Sequence, residues 1–192
     1  MSNTTGNFSR GKSFAATEPA GQLDARQLLM LLGLGVGIVL LHEMVRFHLK
    51  LPGHHGLEAM ALMVFGRMTA PNRWAASLVG AAAATTAVAF SAGNGPLQPV
   101  FYLLPGLALD LAWRLLPAWR QLLFLVPLIG GLAWATRPLV RWVIAQSSGL
   151  EFQSVAAGLA WPVLTHLLFG TVGAAAATVA WYQWQKRHGP AD

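Results

Sequence analysis

The chain has 192 residues, of which 55% are hydrophobic and 10% charged, and its net charge is +6. Soluble domains carry about 25% charged residues, so this composition argues against a soluble fold and indicates an integral membrane protein. The basic residues stand between apolar runs, which indicates membrane topology rather than nucleic-acid binding. Because cysteine is absent, disulfides, thiolate metal sites and cysteine nucleophiles are excluded.

Six apolar runs follow a polar segment at residues 1–26, which lacks the apolar core of a signal peptide and is predicted to be a flexible cytoplasmic tail. A membrane-spanning helix needs about 20 apolar residues. The runs lie at residues 27–47, 57–68, 74–92, 99–116, 118–136 and 155–184. The fifth is expected to continue past Pro138 as an interfacial stretch to Ala145. The sequence thus predicts an all-α membrane domain of six transmembrane helices at 27–184, and a cytoplasmic tail at 185–192.

The basic residues predict that both termini are cytoplasmic. If six spans alternate, nine of the 13 basic residues lie inside: Arg10, Lys12, Arg26, Arg67, Arg73, Arg114, Arg120, Lys186 and Arg187. The remaining four lie outside: Arg46, Lys50, Arg137 and Arg141. Such an excess of Lys and Arg on the cytoplasmic side is usual for multi-pass proteins, so a cell (inner) membrane location is predicted.

The connection between the first two runs is polar, with histidines around a Pro52-Gly53 break. It leads into the 12-residue second run, which as a helix would reach about 18 Å against about 30 Å of hydrocarbon. Irregular backbone within the membrane thickness is tolerated where protein covers it or where it lines a wet cavity. Residues 48–56 are therefore predicted to form a lid or re-entrant wall over a cavity open to the outside.

Polar groups on the predicted outer side are the candidates for binding a small molecule. They are His48, His54, His55, Glu58, Asn94, Trp161 and His166. Imidazole ligates metals, hydrogen-bonds polar ligands and titrates near neutral pH. His54 and His55 are the candidate metal ligands, and whether a metal or a haem is bound stays open because no recognised ligand spacing is present. His166 is expected near mid-membrane.

No catalytic motif is complete. His42-Glu43-Met44-Val45-Arg46 departs from the zinc-protease pattern H-E-x-x-H because Arg46 replaces the second histidine. There is no phosphate loop G-x-x-x-x-G-K-[ST], and no serine turn lies within a span. We therefore predict that the protein is not an enzyme. Glu43 and Asp110 are instead expected to pair within their helices, with Arg46 and Arg114 respectively.

Small residues are frequent in the runs, and Gly33-x-x-x-Gly37 in the first run is the best candidate for contact with a partner helix. The alternative is ordinary packing within the chain, since small residues let helix backbones approach closely in either case.

The order of segments resembles the substrate-capture (S) components of energy-coupling-factor vitamin transporters. The stretches that carry the resemblance are Leu51-Pro-Gly-His-His-Gly-Leu-Glu-Ala-Met-Ala-Leu-Met-Val-Phe-Gly-Arg, Tyr102-Leu-Leu-Pro-Gly-Leu-Ala-Leu-Asp-Leu and His166-Leu-Leu-Phe-Gly-Thr-Val-Gly. The resemblance implies six helices, cytoplasmic termini and a substrate held near the outer face under the loop at 48–56. It also implies that Gly33 and Gly37 contact a transmembrane coupling protein driven by an ATPase pair.

The chain departs from that family at two points. Glycines stand where the coupling helix usually carries alanines, and Ser2 follows Met1 where the metal-specific members have a histidine. The metal site of those members is therefore not carried over. The leading hypothesis is an S-component-like, substrate-binding membrane subunit. The alternative is an accessory subunit of a larger respiratory or photosynthetic membrane complex, holding haem, pigment, lipid or metal.

Overall fold

The computed structural model describes residues 23–44, 51–90, 97–115, 124–150, 152–156 and 158–188. These residues form helices and connecting turns, with no strand among them, which confirms the all-α prediction. The helices are α1 (Ala25–Met44), α2 (Gly56–Thr69), α3 (Ala75–Ala89), α4 (Gln98–Leu115), α5 (Leu125–Ser148), the single turn α6 (Gln153–Ala156) and α7 (Ala160–His188).

Among the described residues, only α1 and α7 are both long and apolar enough to cross a membrane, so the prediction of six spans is not confirmed. Length and composition alone are weak signs, because a buried core helix and an N-terminal signal sequence satisfy them too. The 14 residues of α2 and the 15 of α3 reach about 21 and 22 Å, which is less than the hydrocarbon thickness of about 30 Å.

The short helix α2 lies at the centre of the bundle, where it contacts α1, α3, α5 and α7. Met60, Met63 and Val64 of α2 are fully buried. Around it, α5 packs on α7, α3 on α4 and α1 on α3. Helices α1 and α2 run antiparallel, as do α3 and α4: the end of α1 lies beside the start of α2, and the start of α3 lies beside the end of α4. The bundle therefore has two ends, and polar groups gather at both.

Close helix packing accounts for most of the small residues. A Cβ added at Gly35 of α1 would lie 2.5 Å from the backbone oxygen of Val79 in α3. A Cβ at Gly170 of α7 would lie 2.7 Å from the Cβ of Trp134 in α5. These glycines let helix axes approach closely, as small residues do in membrane bundles.

Helix α5 runs without interruption through Pro138 and ends at Ser148, before Gly149 in the left-handed conformation with φ +70°. The fifth run thus continues past Pro138, as expected, and stays helical to Ser148, three residues beyond the predicted Ala145. Arg137 and Arg141, which were predicted to lie outside the fifth span, are part of this helix. His166 lies only about 9 Å along α7 from Ala160, close to the end of the bundle and not at its middle.

Candidate functional site

The turn at residues 51–55 enters the bundle just before α2. Gly53 adopts φ +84°, a left-handed conformation that glycine reaches without steric cost. A Cβ at this position would lie 2.6 Å from Nδ1 of His166, so the space also requires glycine. The Gly53 carbonyl accepts a hydrogen bond from the Gly56 amide at 2.8 Å, which leads the turn directly into the helix.

Side chains of α5 and α7 pack against this turn. The indole Nε1–H of Trp134 donates a hydrogen bond to the Gly53 carbonyl at 3.1 Å, and Trp134 is fully buried. The ring of His166 stacks on that indole with centroids 6.2 Å apart. His166 donates from Nδ1 to the Pro162 carbonyl at 2.7 Å, so in the neutral ring Nε2 carries the free lone pair. The turn is thus fixed against α5 and α7.

Three ionisable side chains meet where α1 ends and α2 begins. The potential ligand atoms of His42, His55 and Glu58 all lie within 4.8 Å of one another, and we call these residues the His–His–Glu trio. His55 Nδ1 is 2.8 Å from Glu58 Oε1, and the ring centroids of His42 and His55 are 3.7 Å apart. Because the trio is only partly buried, it combines a carboxylate and two imidazoles at a position that solvent reaches.

Arg137 of α5 is a buried cation at the same end of the bundle. Its side chain is 6% exposed, and its guanidinium carbon lies 4.2 Å from the ring centroid of Trp134 and 5.5 Å from that of Tyr102. Its Nε has no hydrogen-bond partner, and no carboxylate of the described residues forms a salt bridge with it. Contact with aromatic faces stabilises a cation by about 0.5–2 kcal/mol, which is less than the cost of burying an unpaired charge.

The structure brings four of the predicted site residues together: His54, His55, Glu58 and His166. The His54 ring lies tilted against that of His55, with centroids 3.8 Å apart, and its Nδ1 donates to the Leu51 carbonyl at 2.7 Å. The Trp161 side chain is 60% exposed on α7. His48, Asn94 and Arg46, the predicted partner of Glu43, lie outside the described residues.

Sequence reasoning missed Trp134 and Arg137 as site residues and did not place Tyr102 there. It placed His42 in a failed protease motif and did not include it among the candidate binding residues. The fifth span was ended at Thr136, which separated Arg137 from Trp134 in the prediction. Had the helix been continued, the i, i+3 spacing of Trp134 and Arg137 would have placed both on one face.

Asp110 belongs to a second polar cluster, at the opposite end of the bundle. Its fully buried carboxylate accepts hydrogen bonds from the Ser77 amide at 2.7 Å, the Ser77 hydroxyl at 2.6 Å and the Ala76 amide at 3.2 Å. It therefore caps the N-terminus of α3, where backbone amides lack helical partners. Its ionic partner is Arg67, at 3.4 Å, so the predicted pair with Arg114 is wrong. Arg114 instead lies 3.7 Å from the ring centroid of Trp74.

The two predicted partner-contact glycines have different surroundings. A Cβ added at Gly33 would meet nothing within 4 Å, so this face of α1 is open. A Cβ added at Gly37 would lie 3.6 Å from Cδ1 of Leu62 in α2, an ordinary contact distance.

A surface recess of about 430 Å³ lies far along α7 and is lined by that helix alone, from Thr178 to Lys186. It is a groove on one helix, whereas the polar site draws on α1, α2, α4, α5 and α7.

The chain matches no protein-family model, and no curated protein or solved structure is significantly similar to it.

Proposed function

We propose that this protein is a multi-pass membrane subunit that captures a small molecule with an anionic group at the outer end of its helix bundle. The observation that carries the proposal is Arg137, a buried cation without a carboxylate partner among the described residues, beside a turn fixed in the bundle. An ionisable side chain buried within a membrane helix is costly and is characteristic of ligand and ion sites. A carboxylate or phosphate of the ligand would supply the missing negative charge.

The surface of the bundle supports a membrane location. Large apolar side chains are exposed on each helix longer than a single turn, including Leu29, Leu57, Val88, Leu111, Leu132 and Leu164. A soluble monomer rarely exposes apolar surface on every side, because such surface drives association.

This proposal agrees with the resemblance to S components, in which the loop after the first helix covers the substrate. In that role the subunit would have no ATPase of its own and would work with a coupling protein and an ATPase pair. The open face of α1 at Gly33 offers a surface for such a partner. The alternative role, as an accessory subunit of a respiratory or photosynthetic complex, would use the same surface.

The first experiment is native mass spectrometry of the full chain purified in detergent. We expect a bound anionic small molecule in the wild type and its loss in Arg137→Met. Arg114→Met is the matched control, because Arg114 also contacts an aromatic ring but lies exposed at the opposite end. Retention of the same ligand by folded Arg137→Met would refute the proposal. Release of a phospholipid instead would assign Arg137 to lipid binding.

Orientation is tested separately by labelling. The chain has no cysteine, so Ser147→Cys and Lys186→Cys can be labelled without removing other thiols. Both positions are exposed, at opposite ends of the bundle. An impermeant maleimide should label Ser147→Cys on intact cells and Lys186→Cys only after permeabilisation; the reverse pattern would refute an outward-facing site. Co-purification with an ATPase pair supports the transporter role, and co-purification with redox subunits supports the alternative.

A further inference from the structure

We propose that the His–His–Glu trio binds a divalent first-row transition-metal ion. His42 comes from the last turn of α1, His55 directly precedes α2 and Glu58 lies in the first turn of α2. Two elements that are separate in sequence thus supply three ligand atoms within 4.8 Å of one another. The inference goes beyond the proposed function, because none of these residues is the cation assigned there to the anionic ligand.

The distances suit coordination after small side-chain movements. Imidazole nitrogens and carboxylate oxygens bind zinc at about 2.0–2.2 Å, which places neighbouring ligand atoms about 3.0–3.5 Å apart. His55 Nδ1 and Glu58 Oε1 are already 2.8 Å apart. The third atom, from His42, is within 4.8 Å of both, so shifts of about 1 Å in rotatable side chains close the site. The i, i+3 spacing of His55 and Glu58 keeps both on one face of the helix start.

The donor set selects the class of ion. Two imidazoles and one carboxylate suit Zn²⁺, Co²⁺ or Ni²⁺, whereas Mg²⁺ and Ca²⁺ prefer sites made of oxygen atoms. Three protein ligands leave at least one coordination position for water or another molecule, as in catalytic zinc sites. The His55 and Glu58 side chains are 28% and 12% exposed, so an ion can reach the trio from solvent.

A hydrogen bond between His55 and Glu58 alone does not account for the position of His42 beside them. His42 comes from another helix and places its ring 3.7 Å from that of His55. A shared metal ion uses both neutral rings and the carboxylate together. The His54 ring also lies against His55, with centroids 3.8 Å apart, and its Nδ1 donates to the Leu51 carbonyl.

The test is a metal titration of the full chain, purified in detergent and treated with chelator. Co²⁺ should bind with a stoichiometry of one and give visible d–d absorption that Zn²⁺ abolishes by competition. Zn²⁺ should also raise the unfolding temperature, because a ligand that binds the native state stabilises it. Mg²⁺ and Ca²⁺ should do neither. Absence of both the cobalt spectrum and the zinc stabilisation in the wild type would overturn the proposal without any variant.

Variants assign the binding to the trio. Outer-shell groups typically change metal affinity 10–100-fold, so loss of a ligand should reduce Co²⁺ affinity by about 100-fold or more. We expect this for His42→Gln, His55→Asn and Glu58→Gln. Glu58→Gln keeps the size of the side chain and an oxygen acceptor for His55, which favours folding. If this variant is folded and binds Co²⁺ as the wild type does, the trio is not the site.

His54→Asn is the matched control from the same turn, and we expect at most about a tenfold effect, since His54 contacts a ligand ring without joining the trio. A loss as large as that of His55→Asn would show binding by the histidine turn in general and would overturn the assignment. Arg137→Met separates this proposal from the proposed function. It should lose the anionic ligand and still give the cobalt spectrum, so either proposal can fail while the other stands.

Discussion

Replacing Asp110 by asparagine is expected to destabilise the bundle through the cluster at the end opposite the trio. The wild-type carboxylate is fully buried, accepts three hydrogen bonds from Ala76 and Ser77, and lies 3.4 Å from Nε of Arg67. Asparagine keeps one oxygen acceptor for the start of α3 but removes the negative charge. Arg67, which is 7% exposed, then loses its buried ionic partner.

The size of the expected loss in unfolding free energy depends on the contacts that Arg67 keeps in the variant. Removing one partner of a buried ion pair costs about 3–5 kcal/mol. Arg67 still donates to the carbonyls of Ala70 and Asn72, at 3.1 and 2.7 Å, and lies 4.6 Å from the ring centroid of Trp113. These contacts favour the lower limit, so we expect the free energy of unfolding to fall by about 3 kcal/mol, or roughly 100-fold in the unfolding constant.

Reversible unfolding in mixed detergent, followed by Trp fluorescence and circular dichroism, measures this change. Arg114→Gln is the control and should change the free energy of unfolding by less than about 1 kcal/mol, because its cation–π contact is exposed. The double variant Arg67→Met/Asp110→Asn should lose less than the sum of the single variants, since it leaves no unpaired charge. A loss below about 0.5 kcal/mol for Asp110→Asn would refute the reasoning.

Four further predictions follow from the other contacts. Gly53→Ala should cost at least about 2 kcal/mol of unfolding free energy and weaken metal binding, because its Cβ meets His166 at a positive φ; detergent unfolding and Co²⁺ titration check both. Gly35→Ala should lower the free energy of unfolding by about 2 kcal/mol, because the added Cβ meets the α3 backbone. Gly33→Ala should leave that free energy unchanged or raise it by up to about 1 kcal/mol, and should disrupt only co-purification with a partner. If both variants lost the same stability, the α1 face at Gly33 would not be open. Trp134→Phe should cost about 0.5–1.5 kcal/mol, because the partly buried Gly53 carbonyl loses the indole donor and keeps only the Gly56 amide; an unchanged unfolding curve would show that the indole hydrogen bond does not stabilise the fold. Zn²⁺ affinity should fall as the pH is lowered, because protons compete with the metal for its ligands; a pH-independent isotherm would exclude histidine ligation.

Local features of the chain were predictable because they depend on neighbouring residues. Apolar runs bounded by polar connections located the long helices, and the Pro52-Gly53 break located the turn before a short α2. The i, i+3 relation of His55 and Glu58 follows from spacing alone. Local reasoning ended the fifth span at Thr136, whereas packing against neighbouring helices keeps α5 helical through Pro138, a residue that breaks an isolated helix.

The sequence by itself determined that the protein is helical, strongly apolar and rich in histidine at one connection, because composition and periodicity are properties of single segments. Only the tertiary structure decided which polar groups meet. His42 joins His55 and Glu58 across two helices, Asp110 pairs with Arg67 rather than with Arg114, and Arg137 lies buried among aromatic rings. These contacts join residues far apart in the chain. They form because glycines at the helix interfaces allow the helix axes to approach each other closely.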